Sequence, residues 1–112
     1  MISEKIFTEM ALSFPGTEQN PHFERKGFKV TGKRMFATYL VDNHTANIFL
    51  TLAEQKLFCK MHSGGIYPVP NKWGEKGATT FELYKIPKEI IYEALLSAYN
   101  EVVTPKNKKA DH

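Results

Sequence analysis

The densest chemistry in this chain is cationic. Residues 22–34, HFERKGFKVTGKR, carry Arg25, Lys26, Lys29, Lys33 and Arg34 against a single acid, Glu24. Ammonium and guanidinium groups at this density are the groups that neutralise nucleic-acid phosphates. Residues 1–21 run the other way, with Glu4, Glu9 and Glu18 against Lys5. The net charge of +3 and the pI near 9.0 therefore hide an asymmetry. Two readings of the basic segment stay open. A protruding basic hairpin can meet phosphates as a wing does. Lysines on an exposed strand also block edge-to-edge aggregation.

A second candidate is the segment 66–77, IYPVPNKWGEKG. A loop of this length is functional or packed on itself. Trp73 brings a large apolar face and one N–H donor. Lys72 and Lys76 flank it, and Tyr67 and Asn71 complete the candidate contact set. The functional reading is a second wing, or one wall of a ligand pocket. The plainer reading, and the expectation, is that Tyr67 and Trp73 plug one end of the core.

Other catalytic and metal-binding patterns are thin. The histidines are His22, His44, His62 and His112, and none stands at metal-ligand spacing from another ligand type. There is no HExxH or CxxC, and no carboxylate cluster. Gly64-Gly65 follows a helical pattern rather than opening one, the wrong context for a phosphate cradle. Cys59, the lone cysteine, precedes His62 by three residues. A nucleophile would need a neighbouring base and a lowered pKa, and the plainer reading is a partly buried helix residue. No catalytic residue, metal or cofactor is assigned. The chain reads as a non-enzymatic binding protein.

These residues need elements to position them. Ser3 can cap a helix over Glu4–Ser13, whose Ile6, Phe7, Met10 and Ala11, with Phe14 beyond, share one face. Pro15-Gly16 ends it, and a polar loop over Thr17–Pro21 follows. Three strands come next, Phe23–Val30, Arg34–Val41 and Thr45–Leu52, joined by tight turns into an antiparallel meander. Alternation sends Phe28 and Val30 inward and Gly27, Lys29 and Thr31 outward. Phe49 is out of phase with Ala46, Ile48, Leu50 and Leu52. It belongs on the opposite sheet face, with Met35 or Tyr39. Open aromatics on that face could stack bases, and cover by the Tyr67–Trp73 segment is expected instead. Thr51 and Glu54 form a capping box for a helix over Ala53–His62, with Ala53, Leu57, Phe58 and Met61 inward. A strand over Thr79–Leu83 and a helix over Lys88–Val103 close the pattern, the helix with Ile90, Ile91, Ala94, Leu95, Ala98 and Val102 as its stripe. The expected fold is an α+β two-layer sandwich. Its sheet is mainly antiparallel with helices on one face, in the order α-β-β-β-α-β-α.

The 112 residues suit one domain over 1–103 and a polar tail over 104–112 that includes Lys106, Lys108 and Lys109. Eight Phe, five Tyr and one Trp suffice for a single core. One cysteine forms no internal disulfide, and no apolar run is long enough to span a membrane. The first residues, MISEKIFTEM, do not read as a secretory signal. The expected setting is a reducing cytoplasm, with a monomer more in keeping than an oligomer.

In order along the chain, SFPGTE (13–18), PHF (21–23), FKVTGKRMFA (28–37), YPVPNKWG (67–74) and VTPK (103–106) resemble the MmcQ/YjbR family of small bacterial proteins. The likeness covers residues 3–106. It implies a CyaY-like α+β fold, also compared with double-wing DNA-binding domains, and a DNA-binding label. CyaY would further imply iron bound by an acidic first helix, which Glu4 and Glu9 alone do not support. The leading expectation is a DNA-binding protein of weak sequence specificity, since no base-reading helix is evident. The alternative is a protein-interaction or small-ligand module using the Tyr67–Trp73 loop and the open sheet face.

Overall fold

The computed structural model describes residues 2–104. The expected tail lies outside the described residues from position 105 onward. The chain forms α1 (Glu4–Leu12), β1 (Thr17–His22), β2 (Arg25–Val30), β3 (Met35–Leu40), β4 (Thr45–Phe49), α2 (Leu52–Met61), β5 (Ile66–Pro68), α3 (Lys72–Glu75), β6 (Ala78–Glu82) and α4 (Lys88–Val103). The six strands make one antiparallel sheet in the order β1-β2-β3-β4-β6-β5. The α+β sandwich is as the periodicity requires, and the element order is longer by two strands and a short helix.

Both added strands are edge strands. Thr17–His22 has no apolar alternation, so sequence marks it as a loop, yet it pairs along its whole length with β2. Backbone groups on β2 supply the ladder, and Pro21 is tolerated because an edge strand leaves one side unpaired. Ile66–Pro68 is similarly recruited by the free edge of β6. The first basic strand therefore starts at Arg25 rather than at Phe23. Phe23 and Glu24 form the two-residue turn joining β1 to β2, flanked by the His22–Arg25 pair.

One sheet face is dry. Phe28, Ala37, Tyr39, Ala46, Ile48 and Phe81 occupy it, all essentially inaccessible. Phe7 of α1 lies edge-on to Phe28 at 5.6 Å and stacked on Tyr39 at 5.7 Å. Phe14 stacks on Tyr99 of α4 at 4.9 Å and meets Phe36 edge-on. Phe58 of α2 meets Phe81. Such ring pairs contribute about 0.5–1.5 kcal/mol each beyond area burial. The β2–β3 register slips between Phe28 and Lys29, where Phe28 faces Ala37 and Lys29 faces Met35. The extra residue, Phe36, is buried with Ala37. This bulge turns two consecutive side chains to the core. Tyr39 is thus a core residue. Met35 lies on the other face, where a Cβ on Gly27 would sit 2.7 Å from its Sδ.

The helix α2 departs from its expected register. Phe58 is buried as anticipated, but Leu57 is 58% exposed, and Ala53 and Met61 also face solvent. Gln55 is buried in their place. Its amide donates to the carbonyls of Gly74 (2.9 Å) and Ala78 (3.1 Å), and this demand fixes the helix rotation. The capping box of Thr51 and Glu54 is formed as the sequence requires. His44 ties down the start of the chain. Its Nε2 donates to the Ile2 carbonyl at 2.7 Å, so Nδ1 accepts from the Tyr39 hydroxyl, also at 2.7 Å.

Phe23 is held at φ +59 and is 91% exposed. Left-handed backbone costs a bulky residue on the order of 1 kcal/mol or more. Phe23→Asn, which tolerates that conformation, should raise stability by about 1 kcal/mol and the melting midpoint by roughly 4–8 °C. A lowered midpoint in a circular-dichroism melt would show that the ring contributes packing.

Candidate functional site

The strand directions sort the candidate residues between two ends of the sheet. β2 ends and β3 begins at the same end as β5 ends and β6 begins. The 31–34 turn and the 69–77 loop therefore project from one end, separated by three strand spacings, roughly 14 Å. Val30 accepts from the Lys33 amide at 2.8 Å, with Gly32 at φ +78, a tight turn that only a residue free to take positive φ closes without strain. Lys33 and Arg34 are exposed at its tip. Among the described residues neither has an ion-pair partner.

The rest of the basic segment does not join them. Lys26 shares the helix-covered face with Tyr39, its cross-strand partner, and is bound to Glu4 of α1. Lys29 is 3.6 Å from Glu18 across the β1–β2 ladder. Arg25 lies at the opposite end of the sheet. It is half-buried and donates to Thr38 Oγ1 at 3.4 Å. Burial pulls its guanidinium pKa down, and Glu24 works against that. The thirteen-residue basic run thus reduces to Lys33 and Arg34 at the tip. The ladder register claims Lys29, the acidic first helix claims Lys26, and the strand direction sends Arg25 to the far end; none of this is visible from charge density alone.

The 66–77 segment is held by its backbone. Asn71 caps α3, its Oδ1 accepting from the Trp73 amide at 2.9 Å. Gly74 is buried so closely that a Cβ there would stand 1.8 Å from the Val69 carbonyl oxygen. Gly77, at φ +117, approaches Leu50 in the same way. Gln55 pins the loop from α2. With the backbone filling the space, Trp73 is left outside and is 66% exposed. The expected plug is therefore absent: neither Trp73 nor Tyr67 closes the core. Lys76 Nζ stands 6.0 Å from the indole centroid, at the limit of a cation–π contact. Lys72 is exposed beside it, and Glu75 is the nearby acid on α3.

Tyr67 points elsewhere. Its hydroxyl donates to Glu82 Oε2 at 2.5 Å, toward the end of the sheet away from Trp73. The carboxylate pushes the phenol up to about 12 and is itself held below its ordinary value. Glu82 also pairs with Lys85 at 2.9 Å. Tyr67 and Trp73 do not form one site.

The face opposite the helices carries a cross-strand row, Asn20, Gly27, Thr38, Asn47, Thr80 and Tyr67. Thr80 donates to Asn47 at 2.8 Å. Phe49 belongs to this face, as Met35 does and Tyr39 does not, and the 66–77 loop packs against α2 rather than over it.

Two basic residues escaped the sequence reading. Lys56 and Lys60 are exposed on α2 and line, with Gln55, Cys59 and Pro68, an open groove of about 430 Å³ between α2 and β5. Their i,i+4 spacing was the available signal, and it is equally that of a solvated helix face. Burial pushes the Cys59 thiol up, away from thiolate. Among the described residues no three His, Cys, Asp or Glu side chains gather as a metal site, and no helix is long and apolar enough to cross a membrane.

Among solved structures, the chain is similar to the crystal structure of the Deinococcus radiodurans protein DR2400, a DUF419 domain. The TM-score is 0.77 with 19% identity, over 97% of this chain and 88% of that one. Likeness at this identity shows a shared fold. No family model and no curated protein matches the sequence.

Two outcomes follow. Trp73→Ala should leave stability within about 0.5 kcal/mol, as for other exposed positions, while Gln55→Leu, which removes two buried hydrogen bonds between α2 and the loop, should cost about 1–3 kcal/mol in a denaturant titration. The Tyr67–Glu82 bond should stabilise the fold fully between the ordinary carboxylate pKa of 4.5 and the ordinary phenol pKa of 10.0, and be lost as the pH rises through about 12. An ultraviolet titration should show one tyrosine ionising near that value, and Tyr67→Phe should remove it.

Proposed function

We propose that the protein is a non-enzymatic nucleic-acid-binding domain of the MmcQ/YjbR type, binding DNA with weak sequence specificity. The observation that carries this reading is the convergence of Lys33 and Arg34 with Lys72 and Lys76 at one end of the sheet. None of the four has an ion-pair partner among the described residues. Uncommitted cations on two projecting turns can follow a phosphate backbone, while cations already paired with carboxylates contribute little. The motif order from SFPGTE to VTPK supports the family, and the fold shared with a DUF419 domain is compatible with it. Among the described residues the helix beside these cations, α3, is a single turn, too short to lay a row of side chains along a groove, so contacts to phosphate dominate and specificity is weak.

The competing reading is a protein-interaction or small-ligand module. One observation favours it: Phe23, strained and exposed, stands at the far end of the open face beside Arg25.

Binding to a short random-sequence duplex, followed by fluorescence anisotropy, separates the two. Four phosphate contacts predict about a hundredfold loss of affinity between about 50 and 200 mM salt. Lys33→Glu with Arg34→Glu should abolish binding, and Lys26→Gln should leave it nearly unchanged. Affinity that ignores salt, or that falls equally with Lys26→Gln, would remove the basic end as the contact surface.

A further inference from the structure

We infer that Trp73 and the adjoining α2–β5 groove form a site for single-stranded nucleic acid, an inference that rests on the nucleic-acid reading above. Three observations converge on it. The indole is 66% exposed and held on a loop whose backbone, not its side chain, is packed. Lys76 stands at 6.0 Å from the ring, where it can meet the phosphate of a base stacked there. The groove begins next to this loop, because Gln55, one of its lining residues, is hydrogen-bonded to the Gly74 carbonyl at 2.9 Å.

The groove has the two components a strand requires. Its surface is mainly carbon, from Pro68, Cys59 and the stems of Lys56 and Lys60. The ammonium groups of Lys56 and Lys60 have no ion-pair partner among the described residues. A positively charged track beside an aromatic platform suits single strands of any sequence, because every base has a π-face. A duplex keeps those faces stacked inside and offers only edges and phosphates. The indole therefore gains nothing from a duplex, whereas Lys33 and Arg34 serve either form.

The test uses oligo(dT) of about 15 nucleotides, a length within one binding module's reach, and a duplex of equal length, compared at the same series of salt concentrations. Trp73 is the only tryptophan, so its emission reports stacking directly. The expected result is tighter binding of oligo(dT) than of duplex, with quenching of the emission. Trp73→Ala should weaken oligo(dT) about tenfold or more and leave the duplex unchanged. Trp73→Tyr, which keeps a stacking ring, should retain most of the affinity. Lys56→Gln with Lys60→Gln should lower the salt slope for oligo(dT) by about one to two. Unaltered melting of each variant by circular dichroism keeps folding out of the comparison. Salt-sensitive duplex binding with oligo(dT) no tighter, or with Trp73→Ala neutral, overturns this inference and leaves the nucleic-acid reading standing. Failure of both probes to bind at low salt overturns both.

Discussion

Six antiparallel strands present two faces, and three helices are available to dry only one of them. Rings do most of this work: Phe7 against Phe28 and Tyr39, Phe14 against Phe36 and Tyr99, Phe58 against Phe81. The hydrophobic effect then dictates the rest of the design: polar groups go to the other face, the turns and the loops, except where, like Lys26 and Gln55, they find a partner on the covered side. The bulge at Phe36 serves this constraint by sending two adjacent side chains to the same side. The opposite face keeps its Asn47–Thr80 bond and its paired Tyr67 and Glu82.

Charge is sorted by the same geometry. Antiparallel pairing sets Glu18 against Lys29, and the packing of α1 brings Glu4 to Lys26. These partly exposed pairs add little stability. Their consequence is to withdraw two lysines from the surface available to a ligand. Of the cations left without an ion pair among the described residues, Lys33 and Arg34 stand on one projecting turn and Lys72 and Lys76 on the loop across the same sheet end.

The exposure of Trp73 follows from how the loop backbone around it is packed. Gln55 adds a second donor to two carbonyls that already accept backbone amides, and so ties the loop to α2. Gly74 and Gly77 let backbone approach backbone where a side chain could not fit. The interior is filled by main chain, and the indole is displaced to the surface. A hydrophobic residue is exposed here because its neighbours are too small to give it a socket.

The sequence by itself determined the α+β class, the three central strands, the capping box at Thr51 and the long closing helix, whose limits match its pattern residue for residue. Those features rest on local periodicity and on caps that one segment carries within itself. It also marked the basic hairpin tip at Lys33 and Arg34 and the Trp73 loop as the places to look. Tertiary structure alone decided that TEQNPH and IYP are strands, since an edge strand is made by its neighbour's unpaired backbone. It decided that Gln55 goes inside and Leu57 outside, because the carbonyls that the Gln55 amide binds arrive from residues 74 and 78. And it decided which lysines are free, because the carboxylates that claim Lys26 and Lys29 sit on other elements, and only folding brings charges so separated along the chain to within reach of each other.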